Sequence, residues 1–119
     1  MLRVPFEMTS LGITLDIQTA QGEKKFLVDT GATITAIRSS QRYLEESQQD
    51  FRELKYLTTS QFIIGGKDFG PMALYLLDIT PEMKEIDGIL GMTFLNDHIV
   101  YIDFRKKMLY LSDRVERSK

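Results

Sequence analysis

The sequence predicts an all-β domain, mainly strands with one or two short helices. Three observations carry the prediction. Apolar and polar residues alternate with a period of two through much of the N-terminal third; short turn segments such as AQGE and GGKD punctuate those runs; and sustained helical spacing is confined to SSQRYLEESQQDFRELKYL at 39–57.

The elements follow in order. Val4-Pro5-Phe6-Glu7-Met8 reads as one short extended piece, its proline suited to an edge or a strand start. Ile13, Leu15 and Ile17 alternate with Thr14, Asp16 and Gln18, the mark of a half-buried strand, and residues 24–28 return as its hairpin partner. Ile34 and Ile37 extend the chain again. Ser39 or Ser40 caps a helix over roughly the first half of 39–57, with Leu44, Ser47, Phe51 and Leu54 near helical spacing. LKYLTTSQFII then has strand character, Gly65-Gly66-Lys67-Asp68 turns the chain, and 72–79 forms a second apolar strand ended by Pro81. After IDGILG comes a short helix at 92–95, closed by Asn96-Asp97. IVYIDF and KMLYLS form a last hairpin, along which Tyr101, Phe104, Tyr110 and Leu111 supply core or dimer packing. Residues 1–112 form the domain and 113–119 a polar, frayed tail.

At 119 residues, 43% apolar and 27% charged, the chain suits one soluble domain. A net charge of −2 with scattered basic residues leaves no footprint for nucleic acid. No apolar run is long enough to cross a membrane, and MLRVPFEMTS lacks the apolar core of a signal peptide. Without cysteine there is neither disulfide nor thiolate chemistry, and a cytoplasmic setting is the default expectation.

One stretch asks for chemistry. In FLVDTGATI an apolar strand ends on Asp29, and a carboxylate there is costly unless it is paired or used. Average residue usage puts D-T-G in about one chain in fifty of this length, so the triplet alone is weak. It gains weight from the apolar Phe26-Leu27-Val28 before it, the small Ala32 after it, and Ile89-Leu90-Gly91 further on, again after extended sequence and before a helix-like continuation.

LVDTGA at 27–32, the strand–IGGKDF–strand unit at 62–77 and DGILGMTFL at 87–95 resemble, in order and spacing, the retropepsins, the single-lobe aspartic proteases of retroviruses and their cellular and bacterial relatives. The resemblance runs from about residue 4 to residue 111. It implies a closed β-barrel-like acid-protease lobe, one per chain. It also implies an aspartic endopeptidase in which two carboxylates share one proton and flank a water, since like charges about 3 Å apart do not both ionise. The chain has one D-T-G, and Asp87-Gly88 supplies no second, so the resemblance implies a homodimer with Asp29 contributed twice across a two-fold axis.

By the same match Thr30 bonds across that axis and Gly31 lets the substrate backbone approach. Leu27, Ala32, Thr33, Ala36, Ile86 and Ile89 bind the substrate, an extended peptide cut between apolar residues. Ile89, Leu90 and Gly91 form the ψ-shaped crossing beneath the loop. No metal or organic cofactor is implied.

The chain departs from the family in two places. A glycine-rich flap is expected, yet after Gly31 no glycine appears before Gly65. Gly65-Gly66 is therefore read as the turn after the flap, and the flap as short, helical or built without glycine, somewhere within 45–60. Thr33 and Met92 stand where many viral members carry an acid and a base. The missing glycine flap motivates the rival reading, a retropepsin-like dimer that binds peptide or partners and hydrolyses little. Asp68-Phe69-Gly70 lacks the phosphate and catalytic loops of a kinase. His98 is read as a surface or turn residue, and Asp78, Asp87, Asp97 and Asp103 as solvated loop carboxylates.

Overall fold

Alternation decides which face of each strand is buried, and β3 (Gly12–Thr19) is the clearest case. Leu15 and Ile17 are buried while Asp16 and Gln18 face solvent. The chain returns as β4 (Gly22–Val28), antiparallel, with Leu15 opposite Phe26 and Thr14 opposite Leu27. Along β4 the alternation separates two apolar clusters. Phe26 joins Leu15, Ile17, Phe62, Leu74 and Phe94 in the main core, whereas Leu27 joins Ile79 and Ile86 in a smaller one.

The structure, a computed structural model, describes residues 1–113; of the expected tail at 113–119, all but Asp113 lies outside the described residues. The expected N-terminal strand is two strands in two sheets, β1 (Leu2–Pro5) and β2 (Glu7–Thr9). Pro5 has no N–H, and the Phe6 N–H leaves for the Lys107 carbonyl at 3.0 Å, so no single ladder holds the segment.

After β4 come β5 (Ala36–Arg38), α1 (Gln41–Glu46), β6 (Gln48–Gln49), β7 (Lys55–Thr59), β8 (Phe62–Ile64), β9 (Lys67–Asp68) and β10 (Met72–Leu77). A 3-10 turn at Pro81–Met83 leads to β11 (Gly88–Leu90), α2 (Met92–Leu95), β12 (His98–Asp103) and β13 (Met108–Asp113). Ser40 caps α1, its Oγ accepting the Tyr43 N–H, but the helix ends at Glu46 and buries no residue. Phe51 and Leu54, expected on its apolar stripe, lie beyond it, and Phe51 is 93% exposed. No helix among the described residues is long and apolar enough to cross a membrane.

One sheet runs β6-β7-β10-β5-β11-β4-β3-β8-β9, with β2 on β3; the other runs β1-β13-β12. The closed barrel implied by the resemblance is not formed. Its two ends belong to one long hairpin, β7 with β10 and β8 with β9, and that hairpin is broken in the middle. Pro71 offers no donor there, and Asp68 takes over instead, its carboxylate accepting the N–H groups of Phe62 and Gly70. Hence the two ends of the sheet are joined by continuous chain through this hairpin.

In the terminal hairpin, Leu109 and Leu111 face the core, while Tyr101 and Tyr110 pair outward with ring centroids 5.5 Å apart; Phe104 is exposed. Asp103 is not simply solvated, for its Oδ1 accepts the N–H groups of Arg105 and Lys106 and closes the turn.

Candidate active site

β4 and β11 lie parallel, with Leu27 opposite Ile89 and Val28 opposite Leu90. The Asp29 N–H continues the ladder one step past β4, to the Leu90 carbonyl at 3.0 Å. There the chain turns. The Ala32 N–H returns to the Asp29 carbonyl at 3.2 Å, and the Gly31 N–H reaches Asp29 Oδ1 at 2.9 Å.

The floor beneath this loop is tightly built. The Met92 N–H, at the start of α2, bonds the Ala32 carbonyl at 2.8 Å. Thr35 is fully buried, accepts the Gly91 N–H at 3.1 Å and the Thr93 hydroxyl at 2.9 Å, and gives its own N–H to Thr93 Oγ1. A Cβ on Gly91 would collide with the Ile34 carbonyl and lie 2.8 Å from that of Ala32, so only glycine allows these segments to cross. Above the floor the loop is open: Asp29 is half-buried and Thr30 and Gly31 are exposed. Among the described residues the Gly31 N–H is the one hydrogen bond to the Asp29 carboxylate. The chain thus presents a held acid with acceptor capacity to spare, which suits it to take or give a proton.

A solved structure similar to this chain is that of a retropepsin-like aspartic protease from Rickettsia conorii. The two are 21% identical over 92% of this chain and 88% of that one, with a TM-score of 0.65. The fold is retropepsin-like. No family model and no curated protein matches the chain.

Within this retropepsin-like fold the expected site residues divide. Asp29, Thr30, Gly31, Ala32 and Thr33 share one loop, with Ile89, Leu90 and Gly91 directly beneath it. Thr33 is exposed, and Ala32 and Ile89 are half-buried. Leu27, Ala36 and Ile86 are buried, at 8%, 1% and 0% exposure: Leu27 and Ile86 pack in the smaller apolar cluster, and Ala36 lies in β5 between β10 and β11.

The glycine-free segment at 45–60 is a hairpin of β6 and β7, and Gly65-Gly66 forms the turn between β8 and β9, with φ of 58° and 85°. At the hairpin tip Glu53 takes the left-handed conformation usually left to glycine, with φ 67°. Asp50 makes that turn tenable. Its Oδ1 accepts the N–H groups of Arg52 and Leu54, and its Oδ2 the Arg52 guanidinium and the Tyr75 hydroxyl. Burial works against the charge, yet those bonds, the Arg52 guanidinium foremost, pull the Asp50 pKa down to about 2.

Other placements differ from expectation. Asp87 is a clamp: its Oδ2 accepts the Lys25 N–H at 2.8 Å, its N–H bonds the Lys25 carbonyl, and its carbonyl takes the Arg38 N–H. His98 opens β12, its side chain 9% exposed between Phe69 and Phe94, and burial lowers its pKa. A lone histidine in an apolar run, H-I-V-Y-I, was the signal for that burial. Arg38, whose guanidinium bonds three loop carbonyls, carried no sequence signal at all. Among the described residues no three His, Asp or Glu side chains group as a metal site.

Proposed function

We propose that the chain is one half of a homodimeric aspartic endopeptidase, hydrolysing extended peptides with apolar residues at the cleavage site. The observation that carries this reading is the Asp29 loop, a carboxylate braced from below and open above. One such acid cannot be both base and acid, so a second copy supplies the other. The exposed Thr30 hydroxyl of each loop is available to bond across the two-fold axis.

In the dimer the ionised Asp29 takes a proton from water as the water oxygen attacks the scissile carbonyl carbon. The protonated Asp29 gives its proton to the carbonyl oxygen, forming a gem-diol. Collapse breaks the C–N bond as a proton passes to the amine nitrogen, leaving an acid and an amine. An extended peptide suits such a cleft, since it binds as an added strand with alternate side chains in pockets.

The test is cleavage of a mixed peptide library by wild type and Asp29→Asn, across acid to neutral pH and at several protein concentrations. Activity that vanishes in Asp29→Asn and rises faster than linearly with protein supports a shared dyad. Silence from a folded dimer refutes it and favours the second reading, a peptide-binding or assembly module. The observation behind that alternative is the hairpin tip, closed by Asp50 without glycine. Peptide analogues with a central hydroxyl discriminate the two, because they mimic the dyad's water and stabilise only a dyad.

A further inference from the structure

We propose that Arg38 is a specificity-determining positioning residue. By gripping the back of the 79–87 loop it aims that loop's side chains at Leu27 and Ile89, and so sets which apolar residue fits beside Asp29. The inference rests on the endopeptidase reading and names the part of the chain that chooses the substrate.

Arg38 ends β5, and its N–H bonds the Asp87 carbonyl at 2.7 Å. Its guanidinium reaches along the loop: Nη1–H donates to the Ile79 carbonyl at 2.9 Å, and Nη2–H groups donate to those of Met83 at 3.0 Å and Ile86 at 2.7 Å. The side chains of the same three residues point the other way. Ile79 and Ile86 form the small apolar cluster with Leu27, and Met83, Leu11 and Ile89 pack against it.

That cluster adjoins the strands that carry the Asp29 loop. Leu27 precedes Asp29 by two residues on β4, Ile89 lies opposite Leu27, and the next residue, Leu90, holds the Asp29 N–H.

Apart from Arg38, the loop is tied at its end by Asp87, whose N–H bonds the Lys25 carbonyl and whose Oδ2 accepts the Lys25 N–H, and at Glu85 by the Ser10 hydroxyl. Between β10 and β11 it carries only the 3-10 turn, with the Met83 N–H on the Thr80 carbonyl and the Ile86 N–H on the Met83 carbonyl. Among the described residues no carboxylate pairs with Arg38, so its charge serves the three carbonyl dipoles. A planar fork of fixed donors reaches carbonyls spread from Ile79 to Ile86, whereas lysine gathers its three donors at one point.

The experiment uses the full chain with Arg38→Lys, Arg38→Met and Met83→Ala. Peptides differing only in the apolar residue at the cleavage site are cut, with kcat and KM read separately, and amide exchange is followed over 79–87. In Arg38→Met the preference among Ala, Val, Leu and Phe peptides falls by roughly tenfold, mainly through KM, and exchange in the loop quickens. Arg38→Lys lies between. Met83→Ala keeps the clamp and slow exchange but shifts preference toward larger residues; should Arg38→Met fail to fold, these two variants carry the test.

A purely structural arginine would lower stability and leave the preference unchanged. Unaltered preference, or unaltered 79–87 exchange in a folded Arg38 variant, overturns the inference. Should wild type cleave nothing, the endopeptidase reading fails by itself, and loop exchange alone decides the clamp.

Discussion

At Asp29 and at Asp50 the backbone makes the same local turn. In each, a carboxylate oxygen accepts the N–H two residues on, at 2.9 Å from Gly31 and 2.8 Å from Arg52. The surroundings differ. Asp50 also holds the Leu54 N–H, the Arg52 guanidinium and the Tyr75 hydroxyl, so its charge is spent on closing a hairpin. Asp29 receives one N–H among the described residues, while the bonds that brace its loop go to backbone atoms and to Thr35. An aspartate in a turn is structural when its acceptors are filled, and chemically available when the backbone does the bracing for it.

The comparison breaks most sharply at Asp29. Asp29→Asn keeps the turn, because an amide oxygen still accepts the Gly31 N–H, so thermal unfolding stays nearly unchanged while peptide hydrolysis falls by at least about 10^3-fold. An activity that survives would remove Asp29 from the chemistry. The next largest effect is Gly91→Ala, whose methyl meets the Ile34 and Ala32 carbonyls; it costs about 3 kcal/mol in denaturant unfolding. A wild-type midpoint would mean the floor yields and does not brace the loop.

Asp50→Ala is expected to do the reverse of Asp29→Asn. Amide exchange over 48–59 quickens, and the pH profile of hydrolysis keeps its shape.

Smaller effects come from acid. Asp50 has a native pKa of about 2 against an ordinary 3.8, so its contribution is complete above the ordinary value and is lost as pH falls from there through about 2. The hairpin therefore stays closed at mildly acidic pH, where a carboxylate dyad works, and its exchange rises only below that. His98 acts earlier. Burial lowers its pKa from 6.5, with Asp113 and Asp97 opposing and Lys67 adding slightly to the shift, so native His98 resists protonation. Stability present above pH 6.5 falls as pH drops toward the native pKa, and His98→Gln flattens that limb of the thermal-unfolding curve.

Much of this was legible along the chain. Period-two alternation located β3, β4 and the terminal hairpin, since one buried face forces that pattern locally. Asp29 and Ala32 stood out by residue type at the end of an apolar strand, and the family resemblance pointed to Gly91 at the crossing. The helix expected over the first half of 39–57 is α1, and Leu44 lies in it. Phe51 and Leu54 continue the spacing beyond its end and stay exposed, since a periodic stripe makes a helix face only where something packs on it.

The pocket-lining roles implied for Ala36 and Ile86 could not be weighed without burial: a buried alanine or isoleucine looks the same in sequence whether it faces a cleft or a core.

By itself, then, the sequence determined the mainly β character and the acid-bearing turn at Asp29, because each is set by neighbours along the chain, whereas the need for glycine at 91 comes from the distant Ile34 and Ala32 carbonyls packed against it. Only the tertiary structure decided that Asp50 closes a hairpin through Tyr75, that Asp87 clamps β4 to β5, that Arg38 grips a loop more than forty residues away, and that the large sheet stays open. Those outcomes depend on which donors long-range packing brings within about 3 Å of an acceptor, and no local pattern encodes that distance.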